Sequence, residues 1–315
     1  MLELNSVKIA LKEKGRKEKL LVNNISLKIS PSTISAIVGE SGSGKSLTAY
    51  SIINLLPSSN LKVTGGEIIF NGKNILKFDH EELRAMRGAK IFMIPQDPLT
   101  ALNPVLTIEE QLEELFIYHT GLDKNEIKKR CLQLLELVKI DNPKARLKAY
   151  PHQLSGGQRQ RVLIAMSVAL NPALIIADEP TTALDVSLQS EIMELFLKIK
   201  KEIGTSILLI THDFGIVNMV ADYIYVMYGG KIVEEGGKKE ILEDAVHPYT
   251  VGLKKSVPSL NSVPKSLLPV IKGYAEISDY HCPFYERCDN ADDYCKEIFD
   301  YKQLSLTHKV LCRKA

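Results

Sequence analysis

The chain has 315 residues, 45% of them hydrophobic and 25% charged, with a formal net charge of +2. That is ordinary globular composition, long enough for one large domain with additions. It excludes the strongly basic footprint of a nucleic-acid or anionic-membrane binder. No apolar run approaches the roughly 20 residues that span a bilayer. The N-terminus lacks the charged-then-apolar pattern of a secretory signal. Five cysteines fit a reducing compartment. A cytoplasmic protein is expected, with any membrane role exercised through a partner.

Residues 2–9 and 21–29 alternate apolar and polar, which predicts two strands. The mixed charge around Gly15 between them reads as a solvated hairpin tip. Residues 35–38 form a short apolar strand that runs into a glycine-rich turn. A helix is predicted from about Lys45 to Leu55, stopped at Pro57. Residues 97–170 are mostly helical; Ile127, Cys131, Leu134, Leu135 and Val138 make a stripe that places Cys131 in a core. Strand–helix alternation returns over 171–235, where Ile192, Leu195, Phe196, Ile199 and Ile203 share one helix face and Gly204 suits its stop. The pattern predicts an α/β core with a parallel sheet and an inserted helical subdomain. From about His247 the composition changes: Pro248, Pro258, Pro264 and Pro269 precede a cysteine cluster. This predicts a linker and a small accessory domain.

Three segments carry chemistry. Gly39-Glu40-Ser41-Gly42-Ser43-Gly44-Lys45-Ser46 fits GxxxxGK[ST] between a strand and a helix. Its glycines let N–H groups turn towards phosphate oxygens at a helix start; Lys45 would reach the β- and γ-phosphates and Ser46 would hold Mg²⁺. Leu174–Asp178 is an apolar strand whose end carries Asp178 and Glu179. Asp178 would hold Mg²⁺ through water, and Glu179 could act as general base towards the attacking water. In Leu154-Ser155-Gly156-Gly157-Gln158, Ser155 would cap a helix running from about Gly156 to Leu170 and present its first N–H groups to a phosphate. A single copy has no use for that segment within its own phosphate site, so it implies a second subunit. Gln96, at the end of strand 91–94, could reach both metal and attacking water. His212, after strand 206–210, could bond a γ-phosphate and steady Glu179. Each of these two is weak read alone.

Together, and in this order, these segments resemble the ATP-binding subunit of an ATP-binding cassette (ABC) transporter. The match covers roughly residues 1–245: Walker A at 39–46, Q-loop Gln96, signature 154–158, Walker B at 174–179, a D-loop with Asp185, and switch His212. The resemblance implies a P-loop NTPase core with an antiparallel β subdomain, over 1–96 and 171–245, and a helical signature subdomain over 97–170. It implies two such subunits head to tail, each ATP lying between one subunit's Walker A and the other's signature. Residues 97–120 would receive the permease. His247-Pro248-Tyr249-Thr250, Cys282-Pro283-Phe284 and Arg287-Cys288 are similar to the C-terminal extension of oligopeptide, dipeptide and nickel importer ATPases, placed here at 246–315. Those importers imply a second, related ATPase subunit, two permeases, an external substrate-binding protein, a place at the cytoplasmic face of the cell membrane and no nucleic-acid partner. Peptide, nickel complex or oligosaccharide remain open as cargo. The competing classes are a soluble ABC ATPase of translation or DNA maintenance and an iron–sulfur redox protein with a regulatory ATPase.

Cys282, Cys288, Cys295 and Cys312 are spaced C-x5-C-x6-C-x16-C. Structural zinc favours closer pairs, and all-cysteine ligation also suits a [4Fe–4S] cluster. The resemblance favours the cluster, with zinc or unligated thiols as alternatives and His281 as a neighbour, not a ligand. No Phe, Tyr or Trp precedes Tyr50, so nothing near Ala10 can stack on adenine. Aliphatic contacts from Leu11 or Leu21 and a modest preference for ATP over GTP are expected.

Overall fold

The computed structural model describes residues 1–13, 15, 18–182, 184–256, 271, 273 and 281–315. Along the chain run β1 (Leu2–Leu11), β2 (Lys19–Ile29), β3 (Ile34–Val38), α1 (Lys45–Ile52), β4 (Leu61–Phe70), β5 (Lys73–Asn74), α2 (His80–Met86) and β6 (Ile91–Ile94). There follow α3 (Pro98–Ala101), α4 (Ile108–His119), α5 (Lys124–Leu137), α6 (Pro143–Leu147), α7 (Gly156–Val168) and β7 (Leu174–Asp178). The rest comprises α8 (Val186–Ile203), β8 (Ser206–Thr211), α9 (Phe214–Val220), β9 (Tyr223–Tyr228), β10 (Lys231–Gly237), α10 (Lys238–Leu242), α11 (Pro248–Lys255), β11 (Lys302–Gln303) and β12 (Lys309–Val310). No helix among the described residues is long and apolar enough to cross a membrane.

The chain divides into two compact units. The first holds residues 1–30, 34–77 and 210–315. In it β1 pairs antiparallel with both β2 and β4. Strand β1 buries Leu2 and Leu4 and then Val7 and Ile9; each pair alternates as a half-buried strand does, and a register shift between Leu4 and Val7, with Ser6 left-handed at φ 50°, moves the pattern by one residue. In the same unit β3 pairs parallel with β9, β9 antiparallel with β10, and β12 antiparallel with β10. One apolar cluster joins Ala36 and Val38 of β3, Val226 and Tyr228 of β9, Val217 of α9 and Tyr249 of α11 to Cys282, Phe284 and Cys295. The C-terminal residues therefore share a core with the strand that delivers the glycine-rich loop. Helix α1 is shorter than the sequence predicts. It stops at Ile52 because Asn54 turns left-handed at φ 50°, a conformation Asn tolerates at helix ends, and not because of Pro57.

The second unit holds residues 31–33 and 78–209. Here β6 pairs parallel with β7 over Ile91–Ile94 and Leu174–Ala177. Helices α2, α4 and α5 open on complete capping boxes, with Asp79, Thr107 and Asp123 each bonded to the Glu three residues on; each such cap is worth about 1 kcal/mol. Cys131 is fully buried on α5, and burial, with Glu113 and Glu109 adding, pushes its thiol up to about 12. Buried Gln111 of α4 accepts from Asn103 N–H at 2.9 Å and donates to the carbonyls of Asn103 and Leu106 at 3.0 Å each. It thereby pins the loop between α3 and α4. Arg161 of α7 donates to the Val138 carbonyl at 2.7 Å and pairs with Glu191 of α8. Gly204, at φ 77°, ends α8.

Candidate functional site

The first unit carries the phosphate loop and the residue after β8. Buried β3 runs straight into the loop, and α1 begins at Lys45 with Gly44 at φ 102° as its N-cap and no side-chain cap. No side chain occupies the start of α1, and a helix N-terminus of this kind favours an anion. Glycine is required at two points: a Cβ on Gly44 would lie 2.7 Å from Met227 Cε, and one on Gly39 2.1 Å from the Met227 carbonyl oxygen. Lys45 is 5% exposed. Its ammonium donates to the carbonyls of Gly39 and Glu40, both at 2.8 Å, and so sits across the mouth of the loop. Ser46 follows on α1, half-buried. His212 is exposed just beyond β8, where Asp213 caps α9 by accepting from Gly215 N–H at 2.6 Å.

The second unit carries the two acids, Gln96 and the signature. Asp178 ends β7 with 2% exposure. Glu179 follows at φ 46°, a left-handed conformation that costs a non-glycine residue on the order of 1–3 kcal/mol and is found where function demands it. The turn separates the two carboxylates, one buried and one half-buried. Gln96 Nε2 donates to Glu179 Oε2 at 3.1 Å, and Thr182 Oγ1 donates to the same oxygen at 2.9 Å. A carboxylate only accepts, so Gln96 must turn its NH₂ towards Glu179 and its carbonyl away. In the sequence, only its position three residues after Glu179 marks Thr182.

Ser155 caps α7 as predicted. Its hydroxyl accepts from Gln158 N–H at 3.2 Å, and Gln158 Oε1 accepts from Ser155 N–H at 3.1 Å. Helix α7 ends at Val168, two residues short of the predicted end. Gly157 packs on α8: a Cβ there would meet Leu188 Cδ1 at 3.1 Å, whereas one on Gly156 would find only Leu184 Cδ2 at 3.9 Å. Asp185 caps α8 by accepting from Leu188 N–H at 2.9 Å. Also in this unit, an open groove of 1020 Å³ runs between α2 and α4, lined by Arg84, Arg87, Lys90, Glu114, Tyr118 and His119 among others.

In the first unit the four C-terminal cysteines come together. Cys282, Cys288, Cys295 and Cys312 all line one cavity of 230 Å³. Burial, with the neighbouring thiols adding, pushes Cys282 up to about 11 and raises Cys288 and Cys312. His247 borders the same cavity but its Nδ1 accepts from Tyr249 N–H at 3.1 Å. His281 does not line it; its ring packs edge-on against Phe299 at 4.7 Å. Among the described residues, no three or more His, Cys, Asp or Glu side chains are gathered closely enough to hold a metal ion as they stand. The donor set nonetheless suits a thiophilic centre: among the described residues, four thiols and no Asp or Glu border the cavity. Ala10 is buried, and Leu11 and Leu21 are half-buried.

The family model described as ABC transporter matches residues 22–182, and the one described as oligopeptide/dipeptide transporter, C-terminal region, matches residues 233–295. The dipeptide transport ATP-binding protein DppD of Bacillus subtilis is 46% identical over 280 residues, which cover 88% of this chain and 84% of that protein. The oligopeptide transport ATP-binding protein AppD of the same organism is 42% identical over 313 residues, 98% of this chain and 94% of that one. A solved dimer of the ATP-binding cassette MJ0796, in a post-hydrolysis state with ADP and Pi, superposes with a TM-score of 0.67 at 30% identity, covering 76% of this chain and 99% of that chain.

Proposed function

The chain belongs to the ABC transporter ATP-binding family, which hydrolyses ATP to drive transport, and we propose that it is the ATPase subunit of a peptide importer. The observation that carries this reading is the signature helix start: Ser155 caps α7 and is itself exposed, a helix end that suits the ATP of a second copy. Peptide as cargo rests on the names of the relatives and on the match at 233–295. The partners would be a related second ATPase, two permeases and an external peptide-binding protein, with this chain at the cytoplasmic face. The groove beside Arg84 and Tyr118 is the surface we assign to the permease.

The proposed division of labour follows the motifs. Residues 1–96 and 171–245 form the ATPase core, 97–170 the signature subdomain, and 246–315 the importer-type extension. The N–H groups of Gly39–Ser46 and the Lys45 ammonium bind the triphosphate; phosphate oxygens replace the carbonyls that Lys45 now touches. Ser46, the outward carbonyl of Gln96 and, through water, Asp178 would hold Mg²⁺, which would supply positive charge against the phosphates. Glu179, steadied by Gln96 and Thr182, takes the proton of the attacking water as its oxygen bonds to the γ-phosphorus and the β–γ bridge breaks, leaving ADP and phosphate. His212 bonds the γ-phosphate. Ser155, Gly156, Gly157 and Gln158 serve the partner's ATP, and Asp185 lies at the D-loop between the two sites.

The four tail cysteines would hold a [4Fe–4S] cluster, with zinc as the alternative. Such a group supplies cross-linking of the tail and one-electron chemistry; no hydrolytic step passes through it. Anaerobic purification decides the matter: iron with acid-labile sulfide supports the cluster, and zinc without iron overturns it. The transport reading is tested by co-expression with two polytopic permeases and reconstitution with a peptide-binding protein. Peptide-stimulated ATP hydrolysis and uptake are expected, and failure to co-purify with any permease would sink it.

A further inference from the structure

Glu40 is the second residue of the glycine-rich loop, yet two of its three bonding groups are committed to the C-terminal segment. Its carboxylate takes both arms of Arg287, Nη1 to Oε2 at 2.8 Å and Nη2 to Oε1 at 3.3 Å. Its N–H donates to the Tyr249 hydroxyl at 2.8 Å. Its carbonyl accepts from Lys45 Nζ at 2.8 Å. One residue thus connects the lysine of the phosphate loop with the tail. All these groups lie in one compact unit.

The tail side is built to hold still. The Arg287 side chain is 8% exposed. Its guanidinium lies over the rings of Tyr228 and Phe284, at 5.6 and 5.9 Å from their centres, and donates to the Tyr228 hydroxyl at 3.1 Å and the Ile271 carbonyl at 3.2 Å. Tyr249 is fully buried and packs on Tyr228 at 4.6 Å. A planar fork held by aromatic faces and matched to a carboxylate is the geometry in which arginine cannot be exchanged for lysine without loss. Cys288 is the next residue, and Cys282, Phe284 and Cys295 belong to the same core.

We propose that Arg287, backed by Tyr249, is a positioning residue for the phosphate loop: it latches Glu40 and neutralises its carboxylate where a polyphosphate must bind. The inference rests on the reading of Gly39–Ser46 as the triphosphate site. Without the latch, the Glu40 carboxylate would turn loose beside an incoming polyanion, and the backbone that orients Lys45 would lose two of its ties. The latch acts on ground-state binding and not on Glu179, so it moves KM and Kd for Mg·ATP and leaves kcat nearly alone.

The test measures Mg·ATP affinity and steady-state hydrolysis for the full chain, with melting temperature alongside. Arg287→Ala raises Kd and KM by about tenfold, within the range of couplings carried through a packed side chain, with kcat within about twofold. Adding Glu40→Gln to Arg287→Ala removes the unneutralised charge and returns Kd to within about threefold of the wild type. Arg287→Lys keeps the charge but only one arm, and raises Kd by about threefold. Wild-type affinity in both Arg287→Ala and Arg287→Lys overturns the latch. So does a loss that persists undiminished in the double variant and follows a fall in melting temperature, because that is the mark of a merely structural role. If Arg287→Ala does not fold, Arg287→Lys decides alone: unchanged KM overturns the proposal. Wild-type protein that binds no nucleotide would instead remove the phosphate-loop reading itself.

Discussion

Replacing Glu179 by Gln is the sharpest probe of the hydrolytic assignment. The exchange is isosteric and leaves the left-handed φ of 46° as it is, so backbone strain is common to both proteins. The two donors that meet at Oε2, Gln96 Nε2 and Thr182 Oγ1, keep an acceptor when the new amide places its oxygen there. What is lost is the negative charge and the capacity to take a proton. Turning two charge-assisted bonds into neutral ones costs about 1 kcal/mol at this partly exposed position, so stability and ATP affinity stay close to the parent. Removing a general base costs roughly 10²–10⁴ in rate, which is about 3–5 kcal/mol on the barrier. The assay is phosphate release at saturating Mg·ATP, with gel filtration in ATP to detect the closed dimer that slow hydrolysis traps. A rate within about threefold of wild type would refute Glu179 as base. A variant that also lost ATP binding would show instead that the carboxylate holds nucleotide.

Other perturbations read the scaffold. Gly157→Val drives a side chain into Leu188 Cδ1, 3.1 Å from where its Cβ would sit, and should cost about 1–3 kcal/mol in urea unfolding, part of it restored by Leu188→Ala. Gly156→Ala meets only an ordinary contact at 3.9 Å, so its stability should change by less than about 1 kcal/mol and any loss of hydrolysis there reports on nucleotide. Gln111→Leu leaves the Asn103 N–H and the Asn103 and Leu106 carbonyls without their partner; a loss of about 2–3 kcal/mol and faster proteolysis between α3 and α4 are expected. Cys131, with its thiol pushed up to about 12, should escape iodoacetamide in the native protein at pH 8 and react only after unfolding; modification of the folded chain, read by mass spectrometry, would contradict its burial. The sign follows from linkage: a folded value raised above the ordinary 9.0 gives stability that is intact below pH 9 and is lost as pH climbs from there towards 12.

The motif residues were legible because their chemistry is local. Gly39–Ser46, Asp178–Glu179 and Ser155–Gln158 each announce themselves within a few residues. The capped start of α7 and the glycine stop of α8 likewise follow from nearest neighbours. Other features depend on approach through space. The Glu40–Arg287 pair is separated by 247 positions, and neither residue stands in a periodic pattern, so only the shared core of β3, β9 and the tail reveals it. The turn at Glu179 has no marker either, since its residue is not one that favours left-handed backbone. Gln111 did leave a trace: it sits with Ile108, Leu112 and Phe116 on the buried side of α4, a polar group at apolar spacing. The same kind of helical stripe that places Cys131 inside is the signal that marks Gln111 as buried. His247-Pro248-Tyr249 carries the family resemblance, and its physical sense is a histidine cap, a proline at the first helical position and a tyrosine whose hydroxyl reaches the phosphate loop.

The cap on α7 has a bearing on how cheaply two subunits can close. A serine hydroxyl owns one hydrogen and two lone pairs. Holding the Gln158 N–H uses a lone pair only, so the hydrogen of Ser155 stays available to an incoming phosphate oxygen. The same atom can therefore secure its helix and greet a foreign γ-phosphate without any rotamer change or melted turn. In the proposed dimer, association would start from a helix end that is already capped, so little of its free energy would go into local rearrangement.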